Sequence, residues 1–168
     1  MIHMSTVSQA RYAGVLARHG GRVVLVREEY PGWGGPHWNI PSGRIEDHET
    51  PDQGACRELA EETGLVVPSG NLMLVGTSSV ESTGRVSRAW TFSVTVEDPL
   101  LTLQDPDGII QDVRWFAVDE AVAALRGLPY RPLFEPAVAL LGGRVQTGSH
   151  WQYAHPGAEP VVTYCRPD

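Results

Sequence analysis

Three glutamates define the chemistry within reach of this sequence: Glu58, Glu61 and Glu62 stand at i, i+3 and i+4. On a helix that spacing puts three carboxylates on one face, where like charges cost a few tenths of a kcal/mol per pair. Folding gains nothing from such crowding, and three glutamates alone would read as a solvated acidic face. A divalent cation removes the repulsion. Mg²⁺ takes a few carboxylates and fills its other positions with water and phosphate oxygens. Arg57 can pair with Glu61 one turn on, or reach back and hold Glu49. The opposite face, with Ala55, Cys56, Leu59 and Ala60, is small and apolar, suited to packing on a sheet.

Composition fits the same chemistry. The chain has 168 residues, a length for one domain and one core, and a formal net charge of -7. It shows none of the basic surplus usual in nucleic-acid binders, so an acidic protein handling anionic phosphates needs a cation in between. No apolar run approaches the roughly 20 residues that span a bilayer, and Met1-Ile2-His3-Met4-Ser5 lacks a signal-peptide pattern. No membrane partner and a cytoplasmic location are therefore expected. Cys56 and Cys165 lie far apart without metal-ligand spacing and read as two free thiols of a reducing compartment. All 13 basic residues are arginine, which with abundant Ala, Gly and Val points to a GC-rich, bacterial source.

The segment Gly43 to Leu65 carries more than the three glutamates. Gly43, Glu49, Arg57, Glu58, Leu59, Glu61, Glu62, Gly64 and Leu65 resemble the Nudix box at every fixed position. The pattern is Gly, five residues, Glu, seven residues, then Arg-Glu-aliphatic-x-Glu-Glu-x-Gly-aliphatic. At average residue usage a chance match at a given start is on the order of one in a billion. The resemblance implies a Nudix-like α/β/α sandwich around a mixed β-sheet, and hydrolysis of a phosphoanhydride bond in a nucleoside diphosphate linked to another group. It implies Mg²⁺ as cofactor, with Mn²⁺ as a substitute. It implies Glu58, Glu61 and Glu62 as metal ligands, a backbone carbonyl at Ser42-Gly43 completing the site, and Glu49 and Arg57 as supports. The cation would neutralise phosphate charge and lower the pKa of the attacking water. The resemblance leaves the general base unassigned.

Two departures from the family pattern bear on mechanism. Pro41-Ser42-Gly43 replaces the common Pro-Gly-Gly, which requires Ser42 to take the backbone angles of that turn. Many members carry a glutamate about six residues before the tryptophan of the late strand; here that position is Ile109, with Asp105, Asp107, Asp112 and Glu97 as substitutes.

Several elements must position these residues. Ala13–Arg18 and Arg22–Glu28 read as strands of a hairpin turning at Gly20-Gly21. Tyr30 to Pro36 is a breaker-rich loop, and Trp38–Pro41 is extended. The box helix is expected from a Thr50 cap, with Pro51 at its first position and Gln53 completing a capping box, to Thr63, with Gly64 as the left-handed stop. Leu72–Val80 and Val86–Val96 read as strands around a Ser82-Thr83-Gly84 turn, and Asp112–Phe116 as another. Asp119 is expected to cap a helix to Leu125, and a second helix covers Leu133–Leu141. The class is α/β. Residues 1–10 read as a loose tail, 11–142 as the domain and 143–168 as an extension. The aromatic residues Trp151, Tyr153 and Tyr164 of that extension fit either a strap across the domain or a homodimer contact.

Substrate signals are thinner. Arg27, Arg44 and Arg88 suit phosphate contacts, and Trp38 or its neighbour Trp33 suits stacking on a base. Ordinary surface arginines and core aromatics read equally from the same residues. The short N-terminus favours a compact enzyme acting on nucleoside triphosphates, with ADP-ribose or a dinucleotide as the alternative. A nucleotide-binding sensor without turnover and a purely structural protein are the competing classes.

Overall fold

The computed structural model describes residues 8–164. Among them are nine strands and three α-helices in one mixed sheet with helices on both faces. β1 (Ser8–His19) and β2 (Arg22–Glu28) form the hairpin, with Gly20 and Gly21 at φ 53° and 77°. Both turn positions need positive φ, which is why glycine fills them. β2 then diverges to pair with β3 (His37–Asn39) and β7 (Ile110–Ala117). β1 continues beside β4 (Ser42–Arg44) on one edge and, in parallel, beside β6 (Arg85–Thr95) on the other. β5 (Met73–Ser82) pairs antiparallel with β6.

Burial on both faces explains the near-continuous apolar runs of the first two strands. Side chains alternate across a strand, so Val15, Ala17 and Val24 pack with Leu59 and Ala55 of α1 (Pro51–Thr63). Leu16, Val23 and Leu25 pack on the other face with α2 (Val118–Leu125) and α3 (Arg131–Leu141). The result is the α/β/α sandwich expected from the family resemblance.

Most strand limits differ from expectation by a few residues, and three boundaries differ for identifiable reasons. Ser8, Gln9 and Ala10 belong to β1, not to a tail, because they pair with Arg85, Val86 and Ser87 of β6; residues 1–7 lie outside the described residues. Ala117, not Asp119, is the N-cap of α2, and the Glu120 carboxylate accepts its backbone N–H at 3.3 Å. α3 starts two residues early, at Arg131, with Pro132 in its first turn. The C-terminal segment lies on the domain. β8 (Ser149–Tyr153) pairs parallel with β5, and β9 (Val161–Tyr164) pairs with β8. Cys56 is a free thiol, while Cys165 lies outside the described residues. No helix among the described residues is long and apolar enough to cross a membrane.

Candidate metal and phosphate site

Local sequence fixes α1 at both ends. Thr50 is the N-cap, and its backbone N–H donates to Gln53 Oε1 at 3.0 Å, one half of the capping box. Gly64 ends the helix in the left-handed region at φ 78°, its N–H bonded to Ala60 O at 2.9 Å. Between these ends Ala55 and Leu59 are fully buried against the sheet. That contact sets the rotation of the helix and turns Glu58 and Glu62 towards β4.

Arg57 organises the carboxylates. Its Nε and Nη2 donate to the two Glu49 oxygens at 2.6 and 3.0 Å, a bidentate fork. The same side chain donates to Glu58 Oε1 at 2.7 Å, Glu61 Oε2 at 3.3 Å and the Arg44 carbonyl at 2.9 Å. Pairing with Glu61 and with Glu49, posed by the sequence as alternatives, thus occurs together. The Arg57 hydrogen bonds hold Glu49 down to about 2.

Glu62 is buried, and its Oε2 accepts the Ser42 backbone N–H at 3.0 Å. Ser42 makes this bond from ordinary β-strand backbone without positive φ, so the missing glycine costs nothing there. The Glu58 carboxylate lies directly over Gly43. Burial raises the pKa of Glu58, and raises that of Glu62 well above the usual range with Glu28 and Glu58 adding repulsion.

Glu28 is the residue that sequence reasoning missed. It ends β2, is 1% exposed, and lines the same cleft as Glu58 and Glu62. Its Oε2 accepts a long 3.4 Å bond from Asn39 Nδ2, while its Oε1 has no partner among the described residues. Burial pushes its pKa up to about 7 against the pull of Asn39, with Glu58 and Asp105 pushing the same way. A sequence signal existed: Glu28 is in phase with Val24, which faces α1.

The cleft has a volume of about 1040 Å³. Of the residues singled out from sequence, Trp33, Gly43, Arg44, Arg57, Glu58, Glu62 and Arg88 line it. Glu49 and Glu61 do not, and are tied to it through Arg57. Arg27 and Trp38 lie elsewhere. They are register partners on the opposite face, where Trp38 packs edge-on against Phe116 at 4.9 Å and Arg27 is exposed. Asp105 and Asp107 line the cleft, whereas Glu97 does not and Asp112 pairs with Arg114. Asp105 is engaged by the backbone N–H groups of Asp107, Ile109 and Ile110, whereas the Asp107 carboxylate accepts no such bond among the described residues. The cleft is also lined by Tyr12 and Ala89 of the sheet and by Tyr130 and Leu133 at the start of α3.

These residues fit a divalent cation. Glu28, Glu58 and Glu62 converge on one cleft, and among the described residues no basic side chain pairs with Glu28 or Glu62. Glu46, His48 and Glu49, on the loop before α1, also bring ligand atoms within 4.8 Å of one another. Glu49 is already committed there to Arg57 and to the Glu46 N–H, and the other two are exposed. The cleft is the better cation site.

Fold and site together invite comparison with known phosphohydrolases. The family model for the NUDIX domain matches residues 8–138. Mouse diphosphoinositol polyphosphate phosphohydrolase 3-alpha is 29% identical over 125 residues, 73% of each chain. An 8-oxo-dGTP diphosphatase from Proteus vulgaris is 36% identical over 61 residues, 36% of this chain and 54% of its own. A solved NUDIX hydrolase from Nitrosomonas europaea shares the fold at a TM-score of 0.66 and 22% identity, covering 83% of this chain and 93% of its own. The chain belongs to the Nudix family and is a Nudix pyrophosphohydrolase, of a family that generally uses divalent metal and acts on nucleoside diphosphate derivatives.

Proposed function

We propose that this enzyme hydrolyses a nucleoside triphosphate with Mg²⁺, a role that Mn²⁺ can also fill. The observation that carries the reading is the mixed lining of one continuous cleft. The carboxylates of Glu28, Glu58 and Glu62 line it together with the apolar and aromatic residues Tyr12, Tyr30, Trp33, Tyr130 and Leu133. A cation-bound phosphate chain suits the carboxylates and a nucleobase suits the aromatic residues. Its volume of about 1040 Å³ is at the upper end of the ~300–1,000 Å³ of small-ligand sites.

Charge argues against a more heavily phosphorylated substrate. The basic residues lining the cleft are Arg44, Arg57 and Arg88, and Arg57 is already consumed by Glu49, Glu58 and Glu61. Two free arginines suit a short phosphate chain, whereas a polyphosphorylated inositol ring needs more.

A bound divalent cation supplies charge neutralisation on phosphate and activation of water for attack at phosphorus. Glu58 and Glu62 would hold it with the Gly43 carbonyl, and Glu61 would complete the set at the rim. Arg57, fixed by Glu49, orients Glu58. Asp107, which lines the same cleft, would take the proton of the attacking water, the role for which Ile109 is unsuited. Arg44 and Arg88 bind the phosphates.

The test is hydrolysis of a panel of nucleoside triphosphates, ADP-ribose, a dinucleotide and a diphosphoinositol polyphosphate, with Mg²⁺ and with chelator. A triphosphate should give the highest kcat/KM, and activity should vanish with chelator. If ADP-ribose leads the panel, the triphosphate reading is wrong. Tight binding without turnover would make the chain a sensor.

A further inference from the structure

We propose that Glu28 is a metal ligand of this site, contributed by the sheet from outside the helix motif, and that Asn39 positions it. The proposal rests on the reading of the cleft as a divalent-cation site and extends it.

Three observations carry it. Glu28 is 1% exposed yet lines the same cleft as Glu58 and Glu62, so its carboxylate meets that cleft and not bulk solvent. Its Oε1 is buried without a hydrogen-bond partner among the described residues. Buried polar atoms are nearly always satisfied, and an exception calls for a cause. A cation between Glu28, Glu58 and Glu62 satisfies Oε1 and offsets the mutual repulsion in one step.

The third observation is how the carboxylate is held. Asn39 is 2% exposed, and its Oδ1 accepts the Ile40 backbone N–H at 2.8 Å. That bond fixes the amide plane and turns Nδ2 towards Glu28 Oε2. With Oε2 oriented in this way, Oε1 is left as the donor atom to the cleft. Asn39 pairs with Val26 across β2 and β3, so both residues of this unit come from strands whose register is fixed. Outer-shell groups of this kind orient metal ligands in carboxylate sites generally.

The experiment titrates Mn²⁺ into the full chain without nucleotide, using calorimetry or the loss of the free Mn²⁺ paramagnetic signal. Wild type, Glu28→Gln, Asn39→Ala and Glu62→Gln are compared, and each is melted in chelator and in excess Mn²⁺. Glu28→Gln should weaken Mn²⁺ binding at least tenfold, raise the melting temperature in chelator and shrink the rise that Mn²⁺ produces. Asn39→Ala should weaken binding by a smaller factor. Unchanged Mn²⁺ affinity in Glu28→Gln, with Glu62→Gln impaired, overturns the role of Glu28 and leaves the site intact. A Glu28→Gln enzyme with normal Mn²⁺ affinity but a raised KM would make Glu28 a substrate contact and also overturns the proposal. Failure of the wild type to bind Mn²⁺ removes the underlying site along with it.

Discussion

The carboxyl group of Glu58 occupies the space that a side chain on Gly43 would need: a Cβ built there falls 2.2 Å from Glu58 Cδ. The glycine is therefore required by close approach and not by backbone angle. Gly43→Ala forces the far end of a flexible side chain to move, so the fold should lose little, within about 1 kcal/mol. Activity should fall about 100-fold, the scale of a ligand group misplaced by about 1 Å. Parallel measurement of kcat and melting temperature checks this, and full activity in the alanine variant would show that Glu58 need not sit where it does.

The Arg57–Glu49 fork should appear in the pH dependence of stability. Glu49 is held down to about 2 from an ordinary 4.5 by the Arg57 hydrogen bonds. Its folded-state value is lowered, so between pH 4.5 and 2 the unfolded chain binds more protons. The stability from this pair is complete above pH 4.5 and is lost as pH falls towards 2. Denaturant melts at pH 5 and pH 3 should show a smaller loss for Glu49→Gln than for wild type. Equal losses would remove Glu49 as a source of acid sensitivity.

Legibility followed the kind of physics each element depends on. The limits of α1 were readable because Thr50, Pro51, Gln53 and Gly64 act locally. The convergence of Glu58 and Glu62 on one cleft was readable because helix spacing puts them on one face, while Glu61 is tied to that cleft only through Arg57. Glu28 was not, because a charged residue closing a strand looks exposed until β7, α1 and the 105–109 loop close over it. Arg27 and Trp38 were expected at the site by nearness in sequence, but alternation along β2 and β3 puts them on the other face. Ser8–Ala10 form strand because β6 supplies their partners, a relation that polar composition conceals.

Glu62 should oppose folding in the metal-free protein. It is 6% exposed, and burial, with Glu28 and Glu58 nearby, raises its pKa well above the usual range. Glu62→Gln keeps an acceptor for the Ser42 N–H but removes the charge. In chelator at pH 8 the variant should be more stable by on the order of 1 kcal/mol. Its Mg²⁺-dependent turnover should fall beyond the ~10–100-fold typical of outer-shell changes. A variant that is both less stable and fully active would contradict the role proposed for Glu62.

Asp107 is separated from Asp105 by hydrogen bonding. Asp105 anchors its own loop through three backbone N–H groups, so changing it should disturb structure as well as rate. Asp107→Asn leaves those bonds in place. If Asp107 accepts the proton of the attacking water, kcat should fall ~100-fold or more while KM barely moves. An unchanged kcat would return the search to Glu58 and Glu62.

The C-terminal strands bear on substrate binding through α3. Trp151 is 3% exposed and packs so closely on β5 that a Cβ on Gly76 would fall 2.9 Å from its ring. Two residues on, the Tyr153 hydroxyl donates to Glu135 Oε2 at 2.9 Å, and Arg131 Nε donates to Glu135 Oε1 at 2.8 Å. These bonds brace the first turns of α3, from which Leu133 reaches the cleft. Trp151→Ala should cost about 3–5 kcal/mol, as for other large core truncations. Because the carboxylates sit on other elements, KM for the substrate should rise more than kcat falls. Steady-state kinetics well below the melting temperature would test this. An equal fall in kcat with KM unchanged would mean that the strap supports the chemistry and not substrate binding in the cleft.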